Sequence, residues 1–366
     1  MEKINCQGCG ISIQTTEPDQ AGYTPESALA RDIVLCQRCF RLKHYNDIQD
    51  VSMSDDDFLE MVSQIREKEG LVVHLIDIFD VQGTMLKSLQ RIVGDKPVIL
   101  AGNKMDLLPK STNRKKLTQW LRSEAKKVGM TVKDVYLISS VKGEGLSDLT
   151  ETIEYHRNKK DVYIVGTTNV GKSTFINKLI EQTTGTGNVI TTSYFPGTTL
   201  GFIEIPLDDS SAFIDTPGIV NNQQMAHYVS ANDLKVITPK KEIKPRVYQL
   251  NSEQTLFIGG LARLDFLKGE RQSFVCYFSN ELAIHRTKLQ KADSLFREHQ
   301  GELLSPPDRE TLAILPDMDE HSFRLDSEKN DIVFPGLGWI TVPGGNLTVS
   351  VHSPKGVRVS VRKSFT

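Results

Sequence analysis

The residues that decide the fold read GTTNVGKS, from Gly166 to Ser173. They match the pattern G-x-x-x-x-G-K-[ST] in full, between an apolar run at 161–165 that reads as a buried strand and a helical pattern at 174–181. In such a loop the backbone N–H groups and the helix N-terminus surround a phosphate group. A chance glycine turn is the alternative, and the strand and helix on either side argue against it. The sequence therefore predicts a phosphate-binding loop.

The side chains of this loop are expected to bind a nucleotide and its metal ion. Lys172 would reach the β and γ phosphates, and Ser173 would supply an oxygen ligand to Mg²⁺. The remaining predicted nucleotide contacts in the loop are Thr168, Asn169, Val170, Gly171 and Thr174.

A second set of metal and phosphate ligands is expected further along the chain. An apolar strand at 211–214 ends in the sequence DTPG, from Asp215 to Gly218. A carboxylate at that strand end can hold Mg²⁺, and the glycine can bring its backbone N–H close to the γ-phosphate. The preceding segment is rich in Thr, Gly and Ser and ends in Thr198 and Thr199, whose hydroxyls would close over the magnesium ion.

Guanine specificity needs a carboxylate, because guanine, unlike adenine, offers donors at N1–H and its 2-amino group. The sequence NKMD follows an apolar strand at 97–101; in it Asp106 would read the guanine edge, Lys104 would pack along the base and Asn103 would tie loops together. An Asn-Lys-x-Asp sequence alone is equally compatible with a solvated turn, and the phosphate loop in the same chain favours base binding. A strand at 135–138 leads into a turn whose backbone N–H would meet the guanine carbonyl oxygen. The predicted contacts in that turn are Ser139, Ser140 and Val141.

Four of the five cysteines form two pairs, Cys6 with Cys9 and Cys36 with Cys39, each separated by two residues. Together they give the four-thiolate shell that Zn²⁺ prefers. Two disulfides or two redox pairs are the alternatives; both are disfavoured, because no secretory signal is visible and a redox pair does not normally occur twice in one small module. The 26 residues between the pairs favour a treble-clef-like finger with an internal hairpin. The sequence predicts a structural zinc site, and Cys276 is predicted to be a buried strand residue.

The composition is that of an ordinary soluble protein of two or three domains. Of 366 residues 39 % are hydrophobic, and 44 Lys+Arg against 46 Asp+Glu give a net charge of -2. This balance excludes a globally polyanion-binding surface and leaves room for a local basic patch. Because there is no long apolar window and no apolar N-terminal run, we expect neither a membrane span nor a secretory signal, and predict a cytoplasmic protein.

The last part of the chain has a different pattern, with strands expected at 250–286 and 331–365 and a helix at 289–300. One basic cluster precedes the strands, and residues 355–363 form an acid-free basic segment. Such clusters suit contacts with a nucleic-acid backbone, and the alternative is a solvated strand face with a flexible linker. The residues predicted to contact RNA are Lys240, Lys241, Lys244, Arg246, Arg358 and Arg362.

Together these motifs resemble those of a Ras-like GTPase, except that the base-reading pair precedes the phosphate loop. That order is a circular permutation, and with the cysteine pairs and the C-terminal extension the chain resembles the YqeH group of circularly permuted GTPases over essentially its whole length. The resemblance implies an α/β fold: a circularly permuted Ras-like P-loop GTPase domain at 51–222, an N-terminal treble-clef-like zinc finger at 1–50, and a mostly β (α+β) nucleic-acid-recognition domain at 223–366.

The resemblance also implies a function and its partners. The chain would be a GTP-binding and GTP-hydrolysing assembly factor for the small (30S) ribosomal subunit. It would bind GTP and GDP, ribosomal RNA and the small subunit or its precursor, and neither DNA nor a membrane. Its cofactors would be Mg²⁺, structural Zn²⁺ and an activating K⁺.

Single residues take roles from the same resemblance. Thr199 is similar to the magnesium-binding threonine of the family, with Thr198 as the alternative, and Asn169 occupies the position linked to potassium-stimulated hydrolysis. Ile219 stands where Ras-like proteins place a catalytic glutamine, so the resemblance implies slow intrinsic turnover that K⁺ or a partner accelerates. Val141 departs from the family pattern, which often has lysine there. The implied catalytic set is Lys172, Asn169, Thr199 and Gly218.

Two other functions remain open from the sequence. One is a nucleotide-gated binding scaffold for a protein or a membrane-associated complex, for which hydrolysis is incidental. The other is a metabolic GTP-consuming enzyme, which is disfavoured because no second substrate site is visible.

Overall fold

The computed structural model describes residues 4–31, 33–45, 52–53, 65–184, 203–216 and 218–366. The chain divides into two units, Met1–Met105 with Arg114–Asn221, and Asp106–Asn113 with Asn222–Thr366. The predicted zinc finger and most of the predicted GTPase domain belong to the first unit. Among the described residues, no helix has the length and apolar character needed to cross a membrane.

A six-stranded sheet forms the centre of the first unit. The strands of this unit are β1 (Ser52–Met53), β2 (Leu71–Asp77), β3 (Val98–Asn103), β4 (Val132–Leu137), β5 (Val162–Val165), β6 (Ile203–Pro206), β7 (Ala212–Asp215) and β8 (Gly218–Ile219). The large sheet has the order β4-β3-β2-β5-β7-β6, and β1 pairs with β8. Neighbouring strands of the large sheet are parallel, except that β6 is antiparallel to β7.

Helices accompany this sheet in the way expected for an α/β domain. They are α1 (Gln37–Tyr45), α2 (Val81–Thr84), α3 (Leu89–Val93), α4 (Arg114–Lys127), α5 (Leu146–Arg157) and α6 (Lys172–Thr184). Leu149 of α5 and Phe175 of α6 belong to the same apolar cluster as Val73 of β2 and Ile164 of β5. Strands β2, β3 and β5 are buried along their whole length, as strands of a parallel sheet covered on both faces should be.

The strand order explains how a permuted chain builds a Ras-like sheet. The strand before the phosphate loop, β5, lies between β2 and β7, and the base-reading strands β3 and β4 lie beyond β2. This is the order of a Ras-like GTPase entered at a different point of the chain. Moving the chain ends alters the loops and leaves the neighbours of each strand unchanged. The predicted circularly permuted Ras-like fold is confirmed.

The N-terminal finger is built around two turns that carry the cysteines. Gly10 has a φ of +73°, and its N–H donates to the carbonyl oxygen of Cys6 at 2.9 Å, which closes the first turn. Helix α1 begins at Gln37, directly after Cys36, so that Cys39 lies on its first turn. A cysteine turn combined with a cysteine-bearing helix N-terminus is the arrangement of a treble-clef-like finger.

The hairpin expected between the two cysteine pairs is less regular than predicted. Among residues 4–31 it is represented by isolated bridges, which join Asn5 to Ser12 and Gln14 to Tyr23. The side chain of Gln14 accepts from the backbone N–H of Glu17 at 2.8 Å, so a side-chain turn replaces part of the strand ladder.

The second unit is mostly β, as predicted. Its strands are β9 (Arg246–Leu250), β10 (Gln254–Ile258), β11 (Ala262–Lys268), β12 (Gln272–Phe278), β13 (Ile284–Lys288), β14 (Met318–Leu325), β15 (Asn330–Phe334), β16 (Gly338–Val342), β17 (Leu347–Pro354) and β18 (Ser360–Lys363). They form two antiparallel sheets with the orders β13-β10-β11-β17-β14 and β18-β15-β16-β12-β9. Its helices are α7 (Ala231–Ile237), α8 (Leu289–His299) and α9 (Arg309–Ile314).

Both sheets contribute to one apolar core, which includes Phe266 of β11 and Phe274 of β12. Cys276 is fully buried in this core, which confirms its predicted place on a buried strand. Burial raises the pKa of Cys276 to about 12, so the thiol is inert at neutral pH.

The last strand begins later than its sequence pattern indicates. The alternation at 357–362 predicts a strand, whereas β18 covers Ser360–Lys363. Val357 donates its N–H to the carbonyl oxygen of Pro354 at 2.9 Å and forms a turn, and both Val357 and Val359 are buried. Two valines that are two residues apart can therefore both be buried although the segment that carries them is a turn and not a paired strand.

His74, on β2, is a buried histidine to which the sequence assigns no role. Its Nδ1 lies 3.2 Å from the carbonyl oxygen of Val165, and its Nε2 lies 3.2 Å from the backbone nitrogen of Leu86. Because Nε2 accepts from an N–H, Nδ1 carries the proton and the ring is neutral. Burial lowers the pKa of His74 to about 4.

We expect His74 to make the stability of the parallel sheet depend on pH. The pKa is about 4 when folded and near 6.5 when unfolded, so only the unfolded chain gains a proton as the pH falls through this window. Stabilisation is complete above the unfolded value, and about 3 kcal/mol is lost by the lower end of the window. Hydrogen exchange of the β2 amides measures this pH dependence as the free energy of opening. The difference in opening free energy between the unchanged protein and His74→Gln should shrink as the pH falls. A difference that stays constant with pH would contradict the prediction.

Candidate functional site

The phosphate loop joins the end of β5 to the start of α6, as its sequence predicts. Lys172 is 1 % exposed, and its ammonium group donates to the carbonyl oxygens of Gly166 at 3.3 Å and Thr167 at 3.1 Å. The positive charge is therefore held at the loop, beside the N-terminus of helix α6. A phosphate group bound there would meet both.

Asn103 ties this loop to the turn that follows β4. Its Nδ2 donates to the carbonyl oxygen of Val170 at 2.9 Å, and its Oδ1 accepts from the backbone N–H of Ser140 at 3.0 Å and from the Ser140 hydroxyl at 2.9 Å. Gly171 has a φ of +89°, and a Cβ at this position would lie 2.6 Å from Asn103 Nδ2. These hydrogen bonds place Asn103 between the two loops that the sequence expects it to link.

Asp77, at the end of β2, is a site residue that sequence reasoning missed. Lys104 donates to Asp77 Oδ2 at 2.7 Å and to the carbonyl oxygen of Asn169 at 2.6 Å, so its side chain is fixed next to the phosphate loop. Asp77 pairs in register with Asn103 on the neighbouring strand. A carboxylate at the end of a buried strand was the available signal, because the carboxyl ends of parallel strands meet at one edge, where ligands bind.

The remaining base-reading residues follow the carboxyl ends of β3 and β4. Asp106 lies in the 3-10 turn Met105–Leu107. Ser139 and Ser140 are buried, and the Ser139 hydroxyl accepts from the backbone N–H of Lys142 at 3.2 Å, which closes the turn. Val141 is 74 % exposed, so the position where the family pattern often has lysine faces solvent.

The predicted magnesium ligands Ser173 and Asp215 are both buried at the carboxyl end of the sheet. Asp215 is the last residue of β7 and is paired in register with Ile164 of β5. The hydroxyl of Ser173 is buried and has no hydrogen-bond partner within the described part of the chain. Because a buried polar oxygen is costly without a partner, and a carboxylate accompanies it, this donor set fits Mg²⁺. Thr199 and its alternative Thr198 lie outside the described residues.

Gly218 lies directly against the phosphate loop. A Cβ here would lie 3.0 Å from Lys172 Nζ and 3.0 Å from Thr168 Cγ2, so a larger residue would crowd the lysine. The backbone N–H of Thr168 donates to the carbonyl oxygen of Ile219 at 2.9 Å. The backbone after β7 therefore lies beside the ammonium group that is predicted to hold the γ-phosphate.

Asp215 also receives a side chain from the zinc finger. Arg38 forms a buried ion pair with Asp215 Oδ2, and its Nη2 lies 3.4 Å from the Asp215 carbonyl oxygen. Burial opposes the charge of Arg38, but attraction to Asp215, Cys9 and Cys39 raises its pKa above the ordinary value. The two residues are 177 positions apart, so no local pattern could have signalled the contact.

The four predicted zinc ligands converge in the finger. The sulfur atoms of Cys6, Cys9, Cys36 and Cys39 all lie within 4.8 Å of one another, and all four residues are buried. The Cys9 and Cys36 sulfur atoms are 3.8 Å apart. Tetrahedral Zn²⁺ with Zn–S bonds of about 2.3 Å places its sulfur atoms about 3.8 Å apart, whereas a disulfide needs about 2.0 Å. The geometry fits zinc.

Two backbone N–H groups converge on one of these sulfur atoms, Cys6 Sγ. The backbone N–H of Cys36 donates to Cys6 Sγ at 3.2 Å, and that of Gly8 donates to the same atom at 3.4 Å. Hydrogen bonds within the cluster, first from Cys36, lower the pKa of Cys6 below its ordinary value. The thiolate is the form that binds zinc.

Some residues predicted to contact RNA are exposed, and others form hydrogen bonds or ion pairs within the protein. Lys240, Lys241, Lys244 and Arg358 are exposed. Arg246 is half-buried and donates to the carbonyl oxygen of Leu282 at 2.7 Å. Arg362 is 6 % exposed, forms an ion pair with Asp331 at 3.1 Å and lies over the ring of Trp339. Because a guanidinium group held in this way supports the domain, Arg246 and Arg362 are removed from the set expected to contact RNA.

Comparison with known families identifies two regions. A family model described as "YqeH-like, C-terminal" matches residues 271–365, and one described as "50S ribosome-binding GTPase" matches residues 161–255. The YqeH protein of Bacillus subtilis is 54 % identical over 365 residues, which cover all of both chains. NO-associated protein 1, chloroplastic/mitochondrial, of Arabidopsis thaliana is 29 % identical over 92 % of this chain and 69 % of its own length.

A more distant relative covers only part of the chain. GTPase Der of Alkaliphilus metalliredigens is 31 % identical over 49 % of this chain and 42 % of its own length. The full-length relative, the C-terminal family model, the permuted sheet and the four-cysteine cluster agree with one another. The chain is a member of the YqeH family of circularly permuted GTPases.

Proposed function

We propose that this protein binds and hydrolyses GTP with Mg²⁺ and acts as a nucleotide-dependent assembly factor for the small (30S) ribosomal subunit. The observation that carries the proposal is the side chain of Asn103, which bonds Val170 of the phosphate loop and Ser140 of the base-reading turn. One amide thus links the groups expected to hold the phosphates to those expected to hold the base. The match to a family model described as "50S ribosome-binding GTPase" supports a ribosomal partner, while the choice of the small subunit rests on the resemblance to the YqeH group.

Hydrolysis converts GTP and water to GDP and phosphate, and its rate depends on positioning and charge stabilisation. Lys172 would stabilise charge on the β and γ phosphates, and the N–H of Gly218 would meet the γ-phosphate. Mg²⁺, when bound, would neutralise phosphate charge; its ligands would be Ser173, Thr199 and Asp215. Ile219 cannot orient a water molecule, so we expect slow intrinsic turnover.

Asn169 is the proposed potassium ligand. It is exposed, and its φ of +63° lies in the left-handed region. Asn169→Gly keeps that backbone conformation without strain and removes the amide oxygen. We expect the variant to hydrolyse GTP equally fast in K⁺ and Na⁺, with a loss of about 10²- to 10³-fold in K⁺, the range seen when one group that stabilises the transition state is removed. Asn158→Gly, at another exposed position with positive φ, should keep the stimulation; undiminished stimulation in Asn169→Gly would refute the assignment.

The proposed RNA contacts, called the RNA surface below, are the exposed residues among those predicted from the sequence: Lys240, Lys241, Lys244 and Arg358. Exposed lysines and arginines pair with phosphates by releasing counterions, so binding should weaken steeply with salt. The three lysines lie in the connection between α7 and β9. Changing them to glutamine should therefore remove charge without disturbing a strand.

Co-sedimentation with purified ribosomal subunits tests the partner. At moderate salt, a non-hydrolysable GTP analogue should cause the protein to pellet with the small subunit alone, and GDP should not. Lys172→Ala should lose the nucleotide and behave identically in both conditions. Pelleting with the large subunit, or with neither, would overturn the small-subunit assignment and leave the GTPase assignment standing.

Charge-matched variants separate specific contact from general attraction. We expect the triple change of Lys240, Lys241 and Lys244 to glutamine to make subunit binding less dependent on salt. The slope of log affinity against log salt concentration should fall by the equivalent of about two to three phosphate contacts. The control changes three exposed lysines of the first unit, Lys115, Lys126 and Lys133. Equal effects of the two triple variants would argue against the proposed RNA surface.

A further inference from the structure

Arg38 occupies an unusual position in the zinc finger. It lies between two zinc ligands, Cys36 and Cys39, on the first turn of α1. Its side chain is 4 % exposed. The backbone of Arg38 is therefore held by the two ligands on either side of it.

The partner of Arg38 is the carboxylate at the end of β7. Asp215 has a side chain that is 3 % exposed, so the ion pair is screened little by water. The second contact, from Arg38 Nη2 to the carbonyl oxygen of Asp215 at 3.4 Å, holds the guanidinium against the same residue. The zinc finger therefore neutralises the carboxylate that is expected to serve the magnesium ion.

We infer that Arg38 competes with Mg²⁺ for the charge of Asp215, so that the zinc site and the magnesium–nucleotide site are thermodynamically linked. This rests on the proposed function, in which Asp215 and Ser173 serve the magnesium ion. Arg38 is a positioning residue in this scheme, because it acts on the metal ion through Asp215.

The direction of the coupling follows from electrostatics. Arg38 and Mg²⁺ are both cations, and they attract the same buried carboxylate. Removing the Arg38 charge strengthens the pull of Asp215 on Mg²⁺, and releasing the finger by removing zinc has the same effect. Linkage is reciprocal, so bound Mg²⁺ and nucleotide must in turn weaken the hold of the finger on Asp215.

The test is a magnesium titration of the binding of a fluorescent GDP analogue to the full chain. Arg38→Gln should bind the nucleotide at a half-saturating Mg²⁺ concentration about tenfold lower than the unchanged protein, as expected for removing one charge from a poorly screened site. Arg31→Gln, an exposed arginine of the same finger, should titrate like the unchanged protein. Arg38→Lys, which keeps the charge, should also stay close to it.

A gain in magnesium affinity is a readout that damage to the fold would not produce. An unchanged or higher magnesium requirement in Arg38→Gln would overturn the inference. If Arg38→Gln loses its zinc, the unchanged protein treated with a zinc-selective chelator tests the same coupling, since it too must need less Mg²⁺. If Arg38→Gln keeps its zinc, the chelator must have no further effect on it; an equal effect on both proteins would show that the coupling bypasses Arg38.

Asp215→Asn distinguishes failure of the inference from failure of the proposed function. This variant should require more Mg²⁺ than the unchanged protein. If Asp215→Asn requires more Mg²⁺ and Arg38→Gln requires the same Mg²⁺ concentration as the unchanged protein, the competition is refuted while the magnesium site stands. If Asp215→Asn leaves the magnesium requirement unchanged, Asp215 does not serve the metal ion, and both fall.

Discussion

Asp106→Asn should lower the affinity for GDP by about 10⁴-fold. This is the size of the effect when a site that hydrogen-bonds its ligand meets a partner that lacks the matching group. The carboxylate of Asp106 offers two acceptors to the N1–H and 2-amino donors of guanine. An asparagine in its place presents an N–H₂ group to one of these donors, so a desolvated donor loses its partner. Xanthine carries a carbonyl oxygen where guanine has the amino group, so the variant should gain affinity for xanthosine diphosphate. Competition against a fluorescent nucleotide measures both affinities.

The exchange of one ligand for another separates recognition from folding. A variant that merely unfolds would lose GDP without gaining xanthosine diphosphate. Asp148→Asn, an exposed carboxylate in the first turn of α5, is the matched control and should keep the preference for GDP. If Asp106→Asn still prefers GDP, Asp106 does not read the base.

Local motifs made much of this site predictable from the sequence. The GTTNVGKS loop requires its own backbone turn before a helix, so its ligand groups are fixed by neighbouring residues. The NKMD sequence, which begins at the last residue of β3, was readable in the same way, because its residues follow one another at the end of a single strand. The permuted order was readable too, because each motif marks the carboxyl end of one strand.

Contacts between distant segments were not predictable in this way. Arg362 was assigned to an acid-free basic segment, but Asp331 lies directly opposite it in the register of β15 and β18. A segment that contains no acidic residue can therefore still lie opposite an acidic residue of the neighbouring strand. The ion pair of Arg38 with Asp215 has the same origin, since each half was a readable motif and only the fold brings the two together.

Cys36→Ser should release zinc and unfold the finger. A structural zinc site contributes about 10–16 kcal/mol of binding free energy, and a serine hydroxyl is a poor substitute for a thiolate ligand. The backbone N–H of residue 36, which donates to Cys6 Sγ at 3.2 Å, is kept in the variant, so the expected loss reports the missing thiolate ligand alone. Zinc content should fall from one atom per chain to none, and the amides of α1 should lose their protection from hydrogen exchange. Cys276→Ala, which removes the cysteine outside the cluster, should keep its zinc.

The thiol content of the unchanged protein decides between a zinc site and the alternative of two disulfides. With zinc bound, denaturation in a chelator should expose all five thiols to a thiol reagent, since the five cysteines are free in the structure. Two disulfides would leave a single reactive thiol and no zinc. Because the Cys9 and Cys36 sulfur atoms lie 3.8 Å apart, at the edge length of a zinc tetrahedron, we expect five. A Cys36→Ser protein that retains one zinc atom and a protected α1 would show that the finger does not depend on this ligand.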